Sequence, residues 1–230
     1  MSDSPNNNTT TINKSSSDSP VPKNDIDLQK MPPPLKLPPN LTFGPFPLNA
    51  SQVFHISRTT LTYALVNLRP LLPGHTLICP VRRVPRLSQL TDRETADLFL
   101  TVKRVSRTLE RVYHADALNV AVQDGAEAGQ SVNHVHVHII PRRRGDVEGD
   151  EIYDRMDGKE GNLGRVWEEF WSLQKRRGER EEMPEKEIQG GPDAEGKRVN
   201  RSEEEMRREA ELLRSEMEKD NEENDDAATG

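Results

Sequence analysis

This chain of 230 residues has a single cysteine, few aromatic residues and no long apolar run. Cys79 cannot form an internal disulfide, and its position in an apolar run predicts a buried thiol. No stretch of about 18 apolar residues is present, which argues against a membrane span. The chain also does not open with a basic region followed by an apolar one, as a secretion signal would. We therefore expect a protein of the cytoplasm or the nucleus that does not bind a membrane.

Basic residues are outnumbered by acidic ones, and the formal net charge is -7. Most of the negative charge lies in the C-terminal third, whereas the central part of the chain is slightly basic. This balance is compatible with a small anionic substrate but is too weak to indicate DNA binding. We therefore expect no DNA partner.

Apolar residues make up 32% of the chain and the mean hydropathy is -0.84, which is low for a protein that folds throughout. Only residues 41–156 show the patterns of a compact domain. The other segments hold too few apolar residues to order themselves, with two short helices as exceptions. We expect a disordered tail over 1–40, a short helix and a charged disordered insertion over 157–200, a helix over 201–219, and an acidic tail over 220–230.

The central segment alternates strand patterns with one strong helix pattern. A capping box at Thr91 and Glu94 begins the helix, and apolar residues then recur at helical spacing through Tyr113. Because strands outnumber helices and their connections are short, we expect an α+β fold with an antiparallel sheet and helices packed on it. The predicted strands are Gln52 to Ile56, Thr60 to Leu68, His75 to Pro80, Leu118 to Gln123 and a histidine-rich strand that closes the domain.

That last strand carries half of the six histidines, His134, His136 and His138, at alternate positions. In an extended strand the three side chains would point to one face. A polar outer face is the simplest explanation, but imidazole is also the side chain best suited to act as nucleophile, base or acid near neutral pH. Three imidazoles could bind zinc, or the central one could attack phosphorus.

The surroundings of the strand favour attack on phosphorus. Side chains in a row do not easily surround one metal ion, so we expect no metal bound by the protein. The preceding loop, Gly129 to Val132, can present backbone N–H groups and a hydroxyl to phosphate oxygens.

The run His134 to Ile140 resembles the signature of the histidine triad (HIT) superfamily, in which histidines alternate with apolar residues. Its context is similar to the fragile histidine triad (Fhit) branch, over about residues 41–156 and 201–217. The stretches that carry this resemblance are Tyr63-Ala64-Leu65-Val66-Asn67, Pro73-Gly74-His75, Ala96-Asp97-Leu98-Phe99, Gln123-Asp124-Gly125, Glu127-Ala128-Gly129-Gln130, Ile152-Tyr153 and Arg201-Ser202-Glu203-Glu204-Glu205-Met206.

The resemblance implies a HIT-like fold with a five-stranded sheet and a dinucleoside polyphosphate hydrolase. Diadenosine triphosphate would be cleaved to AMP and ADP, with His136 as the nucleophile. His134, His138, Gln130 and Ser131 would support the phosphates and the proton transfers. The residues expected to bind the rest of the substrate are Asn67, Gln123, Gly129, Val132 and Phe46.

Some of these assignments have structural alternatives. Asn67 and Gln123 could belong to turns, and His75 is more typical of a structural histidine than of a catalyst. Phe46 stands where the family commonly has a polar residue, which removes one expected contact. Tyr153 is expected in a loop. This loop would cover the second nucleotide, or Tyr153 would be a surface residue that is modified in signalling.

The resemblance further implies a divalent cation, Mg²⁺ or Mn²⁺, that accompanies the substrate, and a homodimer. Two related activities remain open, a nucleoside phosphoramidase and a decapping-type pyrophosphatase. A nucleotide-binding signalling module with slow turnover is an alternative of a different class.

Overall fold

The computed structural model describes residues 35–147, 151–157, 162–178 and 200–227. Most of the expected N-terminal tail, most of the expected charged insertion and residues 228–230 lie outside these ranges. No helix within the described part of the chain is both long enough and apolar enough to cross a bilayer.

A five-stranded sheet forms the centre of the fold, and every neighbouring pair of strands in it is antiparallel. This confirms the predicted α+β class. A separate two-stranded hairpin, β1 with β2, precedes the sheet. Within the sheet the order is β3-β4-β5-β7-β6, so β3 and β6 are its edges. The strands are β1 Thr42–Phe43, β2 Phe46–Pro47, β3 Val53–Ile56, β4 Thr62–Val66, β5 Thr76–Pro80, β6 Ala117–Val122 and β7 Val137–Arg142.

Helix α1, Asp92–Tyr113, begins at the predicted capping box. The Thr91 side chain accepts from the Glu94 N–H at 3.2 Å, and the Glu94 carboxylate accepts from the Thr91 N–H at 2.8 Å. The helix ends at His114, whose left-handed backbone closes the last turn. The apolar stripe of α1 packs on β4, β5 and β7 and forms the main core with them.

The histidine strand is shorter at its start than predicted, because β7 begins at Val137 and not at His134. β7 pairs with β5 only as far as Val137 and Ile78. Two residues further along β5 stands Pro80, which has no N–H to donate to a ladder. His134 instead closes a turn through its own N–H to the Val132 carbonyl at 2.7 Å. Two of the three histidines therefore lie just before the strand.

Three further helices are α2 Glu151–Asp157, α3 Leu163–Gly178 and α4 Glu203–Ala227. Helix α2 was not predicted. The predicted short amphipathic helix is α3, and it extends to Gly178. Helix α4 was expected to end at 219 but continues to 227, since Glu, Lys, Asn and Asp follow without a glycine or proline. It packs against α1 and β3.

Candidate active site

His134 is held by backbone groups at both ring nitrogens. The Gly44 N–H donates to Nδ1 at 3.1 Å, so Nε2 carries the proton and donates to the Pro80 carbonyl at 2.8 Å. Gly44 has a φ of +55°, and a Cβ there would lie 2.5 Å from Cγ1 of the buried Val132, so this approach requires glycine. In this arrangement His134 offers neither nitrogen to a substrate.

His136 has the opposite character, because one of its nitrogens has no partner. Its Nδ1–H donates to the backbone carbonyl of His134 at 2.7 Å, which is the bond expected for a nucleophile with a fixed tautomer. Nε2 therefore carries the lone pair. This atom is buried and makes no hydrogen bond with any residue that the structure describes. Burying a polar atom without a partner is costly, which marks Nε2 as an atom held ready for a ligand.

His138, on β7, is oriented by a chain of two hydrogen bonds that begins at the backbone of Leu71. The Leu71 N–H donates to Nδ1 of His75 at 3.1 Å, so the proton of His75 is on Nε2. That N–H donates in turn to Nδ1 of His138 at 2.9 Å. The proton of His138 is therefore on Nε2, which is buried and has no hydrogen-bond partner in the described part of the chain. Sequence reasoning treated His75 as structural and missed this connection to the triad.

All three histidines of the triad are uncharged near neutral pH. Burial lowers the pKa of His134 to about 4 and lowers the pKa of His136 below its usual 6.5. Burial also lowers the pKa of His138 well below its usual range, and the neighbouring His136 and His75 add to this effect. A neutral His136 keeps the lone pair that a nucleophile needs, while a neutral His138 keeps its N–H.

The rings of His136 and His138 are close, with centroids 5.0 Å apart. The site thus presents a lone pair and an N–H side by side. Such a pair can attack an electrophilic atom and donate a hydrogen bond to an oxygen bound to that atom.

The loop before the triad, Gly129 to Val132, is held by hydrogen bonds between side chains and backbone groups. Gly129 has a φ of +84°, a left-handed conformation that suits glycine. The Gln130 amide accepts from the Gly125 N–H and donates to the Pro85 carbonyl, both at 3.0 Å. Ser131 Oγ accepts from the Gly164 N–H at 3.2 Å. Gln130 and Ser131 therefore hold the loop in this conformation, and their expected phosphate contacts would require these bonds to rearrange.

Asn67 follows β4 and is completely buried. Its Oδ1 accepts from the Arg69 N–H at 3.1 Å, which is the turn role considered above, and its Nδ2 lies 3.3 Å from the ring nitrogens of His75. Asn67 is thereby linked through His75 to His138. Gln123 follows β6 and is buried.

Helix α3 covers the triad through a row of aromatic rings, which sequence reasoning did not foresee. Phe43 contacts His136 edge-on at 5.2 Å and the indole of Trp167 at 5.8 Å. Trp167 is fully buried and stacks on Phe46 at 5.9 Å with a 22° interplanar angle. Since His136 is only 1% exposed, a substrate reaches Nε2 only if some covering residues move. The signal in the sequence was the position of Trp167 in a strongly amphipathic segment.

Tyr153 lies in helix α2, so the expectation that it sits in a loop is wrong. Ile152 and Met156 pack against Ile140 on β7 and Leu71, and this contact stabilises the helix. The Tyr153 side chain is 47% exposed, and its hydroxyl accepts from the Asn119 amide at 3.0 Å. Among the contacts of the described residues, none joins Tyr153 to the triad.

Within the described ranges, no group of three or more His, Cys, Asp or Glu residues is arranged to hold a metal ion. The three imidazoles are directed to different partners. His134 is saturated by backbone, His136 presents a lone pair and His138 presents an N–H. This arrangement fits the class of proteins that use a histidine nucleophile.

Comparison with known proteins agrees with this class. The family model described as the HIT domain matches residues 50–145. A bifunctional bis(5'-adenosyl)-triphosphatase/adenylylsulfatase FHIT of Arabidopsis thaliana is 53% identical over 122 residues, which are 53% of this chain and 67% of that protein. The asymmetrical bis(5'-nucleosyl)-tetraphosphatase of Schizosaccharomyces pombe is 49% identical over 132 residues, 57% of this chain and 71% of the relative. A bis(5'-adenosyl)-triphosphatase of Dictyostelium discoideum is 47% identical over 116 residues, 50% and 76% of the two chains.

This chain belongs to the HIT domain family. Its similarity to the Arabidopsis FHIT protein agrees with the Fhit branch that the sequence motifs predicted.

Proposed function

We propose that this protein hydrolyses dinucleoside polyphosphates, and diadenosine triphosphate in particular, to AMP and ADP through a nucleotidyl intermediate on His136. The observation that carries the proposal is the His136 imidazole, whose Nδ1–H is bound to the His134 carbonyl while Nε2 is neutral, buried and unpartnered. The names of the relatives support the same reaction class.

The reaction proceeds in two displacements. Nε2 of His136 attacks an α-phosphorus, a P–N bond forms, and the bond from that phosphorus to the ADP oxygen breaks. Water then attacks the same phosphorus, the P–N bond breaks, and AMP leaves with the water oxygen while His136 returns to its neutral form. Dividing the reaction in this way replaces attack by water on the intact substrate with attack by a positioned imidazole.

His138 serves as the donor in this mechanism. Its ring lies 5.0 Å from that of His136, and its Nε2–H donates to a phosphate oxygen whose negative charge grows during attack. The bonds from Leu71 and His75 keep the proton on that nitrogen. His134 acts through the carbonyl that orients His136, because both of its ring nitrogens are already bound.

The relatives are named for different substrates, so the test must compare substrates. We would incubate purified protein with diadenosine triphosphate, diadenosine tetraphosphate, adenylyl sulfate, a nucleoside phosphoramidate and a capped dinucleotide, and identify the products. The expected result is the highest kcat/KM for diadenosine triphosphate. A higher value for the phosphoramidate or the capped dinucleotide would replace the proposal with one of the two related activities.

Hydrolysis of diadenosine triphosphate in oxygen-18 water identifies the phosphorus that is attacked. The label is expected in AMP and not in ADP, because water enters only after ADP has departed. Label in ADP would show attack at the β-phosphorus and overturn the mechanism. Tight binding with negligible product release would instead favour a signalling module.

We also propose that Mg²⁺ or Mn²⁺ accompanies the polyphosphate, whose charge favours a hard cation with oxygen ligands. Loss of activity with a chelator and its recovery with either metal would support this. A reducing compartment, the cytoplasm or the nucleus, suits the buried free thiol of Cys79. Microscopy of the tagged full chain would test the compartment.

We further propose a homodimer formed through the edge strand β6. This edge is unpaired in the described fold, so its backbone groups are free to pair with a second copy. Val120 on this strand is an apolar residue that is 47% exposed in the single chain, and a dimer would bury it. Light scattering should give twice the mass of one chain. Val120→Lys should shift that mass towards the monomer, and an unchanged mass would place the interface elsewhere.

A further inference from the structure

A cavity of about 550 Å³ lies between strand β3, helix α1 and helix α4. Its walls include Phe54 on β3, Leu100 on α1 and Met217 on α4. None of the histidines of the triad, and none of the loop residues before it, lines this space. The cavity is therefore separate from the active site, and its volume lies in the range of small-molecule sites, about 300–1,000 Å³.

Unpaired positive charge surrounds the cavity. Arg58, Lys103, Arg104 and Arg107 line it, and none of the four forms an ion pair or a side-chain hydrogen bond with any described residue. Lys103 and Arg107 are one helical turn apart, a spacing at which like charges destabilise a helix by about 0.2–0.5 kcal/mol. Arg111, one turn further on, is paired with Glu216 and Asp220 on α4. Basic residues of α1 can therefore form ion pairs with α4, which the four residues at the cavity do not do within the described part of the chain.

Acidic residues do not balance these charges. Besides the four unpaired cations, Arg214 lines the cavity, against two acidic residues, Glu218 and Asp220. Asp220 already accepts from Arg111 and Thr108. In a chain of net charge -7, this local excess of positive charge marks a surface suited to an anion.

The cavity also offers polar and apolar contacts. His55 lines it, and its Nε2 is buried without a hydrogen-bond partner among the described residues. Burial, and then the charge of Arg104, lowers the pKa of His55 to about 4, so its ring is neutral. Leu100 is 66% exposed in the same space, and Phe54 and Met217 complete an apolar wall. A ligand that combined negative charge with an apolar ring would pair with the positively charged residues and pack on the apolar wall.

We propose that this cavity is a second binding site, distinct from the triad, for a nucleoside polyphosphate. Its phosphates bind the guanidinium groups of Arg104 and Arg107 and the ammonium of Lys103, since arginine forks match phosphate oxygens in geometry and charge. Its nucleoside packs on the apolar wall formed with Leu100, and the neutral His55 supplies a hydrogen bond. The site binds without reaction, and the proposal does not depend on the activity of the triad.

The test is calorimetric titration of the full chain with ADP in a His136→Asn background, where no turnover interferes. The cavity variant carries Lys103→Gln, Arg104→Gln and Arg107→Gln. A control with the same loss of charge carries Arg93→Gln, Arg143→Gln and Arg144→Gln, which lie outside the cavity. We expect the cavity variant to bind one ADP fewer per chain, or to weaken one site at least tenfold, while the control keeps the full stoichiometry.

A second variant and two further probes identify the class of ligand. Leu100→Ser alters an exposed residue, so it should fold normally, and it should weaken ADP binding at the cavity while inorganic triphosphate binds as before. Adenosine alone should not bind there. Equal ADP stoichiometry in the cavity variant and the control would overturn the site, and equal ADP affinity in Leu100→Ser would overturn the nucleoside assignment. Turnover of diadenosine triphosphate by the cavity variant, measured separately, reports on the proposed function alone.

Discussion

Replacement of His136 by asparagine should abolish turnover and leave the fold nearly intact. The asparagine amide places an N–H close to the position of Nδ1, so the hydrogen bond to the His134 carbonyl can be kept while Nε2 is removed. Positioning a nucleophile contributes about 7–11 kcal/mol to a reaction, and about 1.4 kcal/mol corresponds to tenfold in rate. We therefore expect kcat to fall by at least about 10⁴-fold, with substrate affinity within about tenfold.

His136→Ala separates the chemistry from the stability. It should be equally inactive, but it leaves a cavity and an unpaired carbonyl of His134 in a buried place, which costs about 1–3 kcal/mol. At about 2–4 °C per kcal/mol for a domain of this size, its thermal midpoint should lie below that of His136→Asn by several degrees.

The assays are single-turnover product release, equilibrium binding of diadenosine triphosphate and thermal unfolding. His114→Asn is the matched control, because His114 is exposed and its left-handed backbone, with a φ of 50°, is one that asparagine tolerates. That control should keep full activity. If His136→Asn retained more than about one percent of kcat, the nucleophile would lie elsewhere and the mechanism would fail.

The remaining predictions concern pH and stability. Because burial lowers the pKa of His136 below its usual 6.5, the lone pair is kept above the lowered pKa and lost below it, so the acid limb of kcat/KM should be centred below pH 6.5; a limb centred above 6.5 would contradict this. Gly74→Ala should destabilise the fold by about 2–4 kcal/mol in urea, since φ is +80° and the added Cβ would lie 2.7 Å from the Tyr113 ring. Gly145→Ala, at φ +82° with open space around it, measures the cost of the left-handed backbone without a steric clash, so it should destabilise the fold by less. Thr91→Ala removes the cap of α1 and should cost about 1 kcal/mol, and an unchanged midpoint in urea would contradict the capping assignment.

Local patterns predicted the elements that depend on local chemistry. Runs of β-forming residues and turn signals placed strands β3 to β5, alternation placed β6, and the capping box with its helical apolar stripe placed α1. A second capping box, Ser202 with Glu205, begins helix α4, with the Ser202 N–H donating to the Glu205 carboxylate at 2.7 Å. These features could be foreseen because each depends on residues a few positions apart.

The errors concern contacts between distant parts of the chain. The start of β7 depends on Pro80, more than 50 residues away, which cannot extend the ladder. Helix α2 exists because Ile152 packs on Ile140, and no local signal indicated that partner. The orientation of His138 depends on His75, from another strand, and the covering of the triad depends on Trp167. Sequence patterns predict which residues carry the chemistry, but the protonation of those residues and the access of substrate to them are set by tertiary contacts.

The attachment of Arg201 has a consequence for the order in which the protein is made. Its guanidinium donates to the carbonyl of Asn67, 134 positions earlier, at 3.0 Å, and its backbone N–H donates to the Leu68 carbonyl at 3.0 Å. Asn67 in turn contacts His75, which orients His138. The sheet can form as the ribosome delivers it, but this anchor cannot be set until residue 201 has emerged. Because contacts of high sequence separation form slowly, this anchor joins the fold only late in synthesis, after the sheet.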